Sequence, residues 1–218
     1  MGANMKIELE QVLPMDIEKR SFELITQELG TRVLDEDKAP IIKRVIHTTA
    51  DFEYADTLLF SDKVLEETLS ALKRGACIIT DTQMGRSGIN KKLLAQYGGE
   101  VFCFMSDEDV AEAAKANGST RASASMDKAA LLEKELIFAI GNAPTALIRL
   151  YELIKEGKIK PSLIIGVPVG FVNVIQSKEL IMTAGVPYIV ARGRKGGSNV
   201  AAAICNAFLY LQEGKNNS

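Results

Sequence analysis

Five short apolar runs, at residues 76–80, 101–104, 135–140, 163–165 and 188–191, limit what this chain can fold into. Each is apolar at consecutive rather than alternate positions, the pattern of a strand buried on both faces. Between them lie stretches with helical spacing. One is capped by Ser61 and closed by Gly75, one is opened by Asn90, and an alanine-rich one is capped by Ser106. Others carry Met126, Ala130 and Leu131, or span 145–155, and a last apolar one runs through Tyr210. Such alternation specifies an α/β fold with a mainly parallel sheet flanked by helices. In sheets of this kind ligands bind at the carboxyl ends of the strands. Here those ends run into glycine-rich loops: Gly85, Ser87 and Gly88 after Thr80-Asp81, then Gly118-Ser119-Thr120-Arg121, Gly141-Asn142-Ala143-Pro144, Gly166-Val167-Pro168-Val169-Gly170 and Arg192-Gly193-Arg194-Lys195-Gly196-Gly197-Ser198.

Glycines at strand ends let backbone N–H groups approach an anion, and the helix that follows adds the positive end of its dipole. Arg121, Arg192, Arg194 and Lys195 add charge, and arginine grips a carboxylate or phosphate with two bonds. The net charge is only −2, so the expected ligand is an acidic small molecule, not nucleic acid or an anionic membrane. No apolar stretch reaches the roughly 18 residues of a spanning helix, and the polar residues 1–10 lack the features of a signal peptide. Cys77, Cys103 and Cys205 lie far apart in apolar segments, so they read as buried thiols of a cytoplasmic protein, with neither a disulfide framework nor a zinc site. A single histidine and no cysteine cluster argue against a transition-metal site built by the protein. No P-loop, no GxGxxG turn after a strand and no GxSxG elbow is present. With 218 residues and no linker-like tract, one domain over 1–218 is expected, with N-terminal helices over about 14–50 and strand–helix repeats over about 56–212.

The only histidine lies in the helical pattern of residues 39–49. Pro40 suits the first turn, and Ile42, Val45, Ile46 and Thr49 recur as a buried stripe. Arg44 and His47 are three apart and share a face beside it. The arginine disfavours protonating the imidazole until an acidic ligand arrives between them. Histidine is also the commonest acid/base group near neutral pH. The preceding helix, residues 14–29 closed by Gly30, carries a stripe of Ile17, Leu24, Ile25 and Leu29 with Ser21 inside it. That serine either bonds a backbone carbonyl or faces a pocket. The residues alone therefore point to an acidic ligand, one histidine, and no cofactor motif.

Several longer stretches carry a resemblance: Glu18-Lys19-Arg20-Ser21-Phe22, Arg44-Val45-Ile46-His47, Thr80-Asp81 with Met84, Thr120-Arg121, Gly141 to Leu147, Gly166 to Val172 and Arg192 to Ser198. With these, in this order from residue 18 to about 206, the chain resembles the precorrin-8X methylmutase family of cobalamin biosynthesis, in its cobalt-precorrin-8 branch. The resemblance implies a homodimeric α/β isomerase that moves a methyl group from C-11 to C-12 of the corrinoid ring, giving cobyrinate or hydrogenobyrinate, with no methyl donor consumed. It makes His47 the catalytic acid/base, and Ser21, Arg44 and Arg121 substrate contacts. The strand-end residues Thr80, Asp81, Gly85, Gly141, Asn142, Gly170, Arg192, Gly193 and Arg194 complete the expected substrate-binding set. No cofactor is implied, since any cobalt arrives inside the substrate, and the expected partnership is hand-off to neighbouring pathway enzymes. Two departures stand out: Gln176-Ser177-Lys178, in the loop after Val172, replaces a usual Glu-Ser-Lys, and Arg121-Ala122-Ser123 a usual Arg-Ser-Ala. The alternatives are a non-catalytic corrinoid carrier and an α/β enzyme acting on a phosphorylated metabolite.

Overall fold

All five apolar runs form strands, and a sixth joins them at one edge. The computed structural model describes residues 9–216; of the polar stretch read over residues 1–10, residues 1–8 lie outside the described residues. The chain divides into a unit ending at Val33 and a unit beginning at Leu34. The helix bearing His47 therefore groups with the sheet, and the helix bearing Ser21 does not. In the first unit a 3-10 turn, Pro14–Asp16, leads into α1, Ile17–Leu29. Gly30 ends it at φ 59°, with its N–H donating to Gln27 O. Only the second half of the expected stripe is covered: Ile25 and Leu29 are buried, whereas Ile17 and Leu24 are 53% and 36% exposed.

The second unit begins with α2, Ala39–Thr49, and a short α3, Tyr54–Thr57, before β1, Leu58–Phe60. Then follow α4, Val64–Lys73; β2, Cys77–Thr80; α5, Gln83–Gly88; α6, Lys91–Ala95; β3, Val101–Phe102; α7, Glu108–Ala116; and α8, Arg121–Ala129. The chain closes with β4, Leu136–Ile140; α9, Pro144–Lys155; β5, Leu163–Gly166; α10, Val174–Met182; β6, Tyr188–Ala191; and α11, Ser198–Asn216. The strand order is β1-β6-β5-β4-β2-β3. All neighbours are parallel except β1, which lies antiparallel to β6 at the edge. Phe138 pairs with Ile79 on one side and Ile164 on the other. Every residue of β2, β4 and β5 is buried, as apolar runs without alternation require. Ile79, Phe138, Ile140, Ile164 and Val190 share a core with Met126, Leu147, Leu150 and Ile181 of α8, α9 and α10. Helix α11 covers β4 and β5 elsewhere and carries α2. Each fully buried side chain of this size stabilises the fold by roughly 1.5–3 kcal/mol.

The chain leaves β2 for the edge strand β3 and returns to β4 on the other side of β2. The direction of winding thus reverses between β2 and β4, which puts the sheet's crevice where Asp81 and Gly141 begin their loops.

Local chemistry corrects four expectations. Residues 83–88 are helical, not a loop, because the Thr82 hydroxyl accepts the Gly85 N–H as a cap. Ser61 does not cap α4; its hydroxyl accepts from Tyr188 N–H beside the β1–β6 ladder, and α4 starts after Lys63 at φ 57°. Ser106 is not the cap of α7, whose first flanking residue is Asp107. Gln176-Ser177-Lys178 lies within α10, where no helix was expected; Ser177 bonds back to Val174 O, and Gln176 is exposed.

Candidate active site

At the winding reversal, Asp81 is 1% exposed, and its carboxylate accepts three backbone N–H groups of the loop after β4. Gly141 donates to Oδ1 at 2.9 Å; Asn142 and Ala143 donate to Oδ2 at 2.8 and 2.6 Å. Burial pushes the carboxyl pKa up, and the three N–H groups oppose that rise. The anion cradle expected of Gly141 and Asn142 is therefore occupied by the protein's own carboxylate, at the N-terminus of α9. Thr80, also buried, donates to the carbonyls of Thr82 and Phe102. Gly85 lies inside α5. Thr80, Asp81 and Gly85 thus shape the crevice from beneath.

Gly141 is glycine because of a close approach: a Cβ there would sit 2.6 Å from Ser198 Cα and 2.7 Å from Gly197 O. At Gly196 a Cβ would overlap the Val167 carbonyl, and Gly197 N–H donates to that same oxygen at 2.9 Å. These contacts seat the 192–198 loop directly over the ends of β4 and β5. The Thr82 and Ser198 hydroxyls are 2.7 Å apart, and Gly170 N–H donates to Arg194 O at 3.2 Å. Arg194 reaches back, donating from Nη1 to Phe171 O at 2.7 Å with its guanidinium over the Phe171 ring. Arg192, Arg194 and Asn142 are exposed at this rim, with Gly193 and Gly170 half-buried. Arg121, exposed in the first turn of α8, joins the same end of the sheet, because the neighbouring Thr120 hydroxyl lies 2.9 Å from that of Thr145 in α9.

Lys195 differs from the other cations of its loop. Its ammonium binds Asp51 Oδ2 at 2.6 Å and Glu53 Oε2 at 2.7 Å. Hydrogen bonding to these carboxylates holds its pKa above the usual range and Asp51's below its own. Its charge is therefore compensated, and its role is to tie the loop to the segment that follows α2. On that helix Ile41, Ile42, Val45 and Ile46 are buried, Thr49 is half-buried, and His47 is exposed. Arg44 is half-buried, its guanidinium 4.7 Å from the centre of the Tyr210 ring of α11. The pairings Arg44–Tyr210 and Asp51–Lys195 make α2 run antiparallel to α11. At about 1.5 Å per residue, His47 stands about one turn before Asp51, in the last turn of α2. Ser21 belongs to the first unit, where its hydroxyl donates to Ile17 O at 2.9 Å.

The structure thus leaves an imidazole exposed on α2, three residues from the half-buried Arg44, and arginines exposed at the strand-end rim. The precorrin-8X methylmutase family model matches residues 16–211. The chain belongs to that family. A cobalt-precorrin-8 methylmutase of Salmonella typhimurium is 49% identical over 203 residues, 90% of this chain and 95% of the relative. A precorrin-8X methylmutase of Pseudomonas aeruginosa is 36% identical over 199 residues, 90% of this chain and 95% of that one. A crystal structure of the precorrin-8X methyl mutase from Thermus thermophilus superposes with TM-score 0.83 at 38% identity, covering 92% of this chain and 98% of that one. Among the described residues no group of three or more His, Cys, Asp and Glu side chains could hold a metal ion, and no helix is long and apolar enough to cross a membrane.

Residue reasoning missed three contributors. Thr82 was legible only as a threonine ahead of a glycine-bearing stretch, and Ser198 only as a serine after two glycines. Lys178 stood out only as the end of Gln176-Ser177-Lys178 and not as a buried charge, since a buried lysine looks in sequence like an exposed one.

Proposed function

We propose that this protein is a cytoplasmic cobalt-precorrin-8 methylmutase, an isomerase of cobalamin biosynthesis. It transfers a methyl group from C-11 to C-12 within one corrinoid and yields cobyrinate, or hydrogenobyrinate from the metal-free ring. The observation that carries the proposal is the placement of His47 beside Arg44, on a helix whose end is tied to the cationic strand-end loop through Asp51 and Lys195. His47 delivers a proton to the ring-C region of the macrocycle. The methyl group then moves with its bonding pair to the adjacent carbon, and the proton returns to the imidazole, so no atom is gained or lost. A carboxylate of the substrate meeting Arg44 stabilises the charged imidazole. Arg121, Arg192 and Arg194 meet other acetate and propionate groups. Cobalt belongs to the substrate, no further cofactor is used, and a homodimer completes the site, with hand-off to neighbouring enzymes of the pathway. The cobalt form is favoured by the names of the relatives, 49% identical for the cobalt enzyme of Salmonella typhimurium and 36% for the Pseudomonas aeruginosa protein.

The test is to incubate the purified protein with cobalt-precorrin-8 and with precorrin-8X, following the visible spectrum and the methyl resonances by NMR. The expected result is a C-12 methyl signal replacing the C-11 one without added methyl donor. Binding without conversion would favour the carrier reading instead.

A further inference from the structure

Lys178 is the only buried basic side chain among the described residues, at 1% exposure. Its Nζ donates to Gly193 O at 2.8 Å and to Lys195 O at 2.9 Å. No acidic side chain of the described residues lies within ion-pair distance of it. A charge held this way is costly unless something balances it, and burial alone lowers its pKa to about 8. Holding two carbonyls does not by itself require an ammonium, since a neutral amide could donate to them. The loop in question carries Arg192 and Arg194, while the charge of Lys195 is already cancelled by Asp51 and Glu53. Positive charge that the described residues leave unbalanced therefore gathers behind one rim of the crevice.

We propose that Lys178 is a positioning residue for carboxylate recognition. Its buried ammonium fixes the Gly193–Lys195 main chain so that Arg192 and Arg194 face the ligand, and its charge is balanced by carboxylates of the ligand docked on that loop. This rests on the proposed function above. Lys178→Met keeps the apolar stem and removes the charge and the donors.

The test measures binding of hydrogenobyrinic acid, a polycarboxylated corrinoid, and of its fully amidated counterpart by visible absorption, together with kcat and KM. The expected outcome is an affinity for the carboxylated ring about 10- to 100-fold lower, the scale of one hydrogen bond to a charged group. Affinity for the amidated ring and kcat at saturation should stay within about threefold of wild type. Equal loss for both rings would make Lys178 a structural prop, and no loss for either would also overturn the proposal. Should the variant fail to fold, NMR of the lysine ammonium groups in the wild-type protein decides. The carboxylated ring should shift the Lys178 signal and the amidated ring should not; the same response to both, or none to either, would end the idea. Wild-type protein that binds neither corrinoid removes the proposed function, and this inference with it.

Discussion

Asp81 and Lys178 are each 1% exposed, and each aims its charge at the main chain of a neighbouring loop. On α2, by contrast, His47 is exposed and Arg44 lies half-buried along Tyr210. Under the proposed function, the two regions divide the work of binding a large, highly charged ligand. The buried ionic groups fix the loops from beneath, and the groups able to meet the ligand stand on the surface above. The glycine-rich loop after β4 does not act as an empty phosphate cradle, since Asp81 already takes the N–H groups of Gly141, Asn142 and Ala143. Specificity then falls to side chains, and the two regions should fail in different ways when altered.

The largest expected effect is on chemistry alone. Replacing His47 should lower turnover by about 10²- to 10⁴-fold, the usual contribution of a positioned acid or base. The opposite pattern is expected beneath. Asp81→Ala leaves three loop N–H groups without their acceptor, which should cost about 3 kcal/mol or more in urea denaturation, with Asp81→Asn costing less because one acceptor oxygen remains. Gly141→Ala forces a Cβ against the main chain of Gly197 and Ser198; overpacking of this kind should cost about 1–3 kcal/mol, and a wild-type melting temperature would show that the loop can move aside. Arg44→Ala should weaken corrinoid binding while removing about 0.5–1 kcal/mol of cation–π contact, read by ligand titration and melting together.

The smallest effect concerns the tie between the regions. Asp51 has its pKa depressed by Lys195, so this contact stabilises the fold above the unfolded carboxyl value of about 4 and is lost as pH falls through the lower folded value. Wild type should therefore melt slightly higher than Asp51→Asn at pH 6, and the two should converge near pH 2. Because the partner lysine is 46% exposed, the difference should be small and should shrink further in high salt.

Much of the fold was legible because burial on both faces leaves an unbroken apolar run, as in Leu136–Ile140, which no solvent-exposed strand would carry. The stripe of α2 was equally plain, and it left Arg44 and His47 outside the fully buried positions. What stayed hidden was decided by partners distant in sequence. Thr82 turns a glycine-bearing stretch into a helix through one cap, and Ser61 is drawn to Tyr188 across 127 positions. Lys195 and Arg194 are near neighbours of one type, yet one is cancelled by Asp51 and Glu53 and the other is exposed at the rim. Charge in a sequence does not say which cation is already paired; only the fold does.

The most direct test is to measure, side by side for wild type and His47→Ala, the affinity for the corrinoid product and the single-turnover rate on cobalt-precorrin-8. The account predicts affinities within about threefold and a rate lower by at least about 100-fold. A variant that isomerises its substrate as fast as wild type would contradict it, and the chemistry would then have to be sought at the strand-end rim.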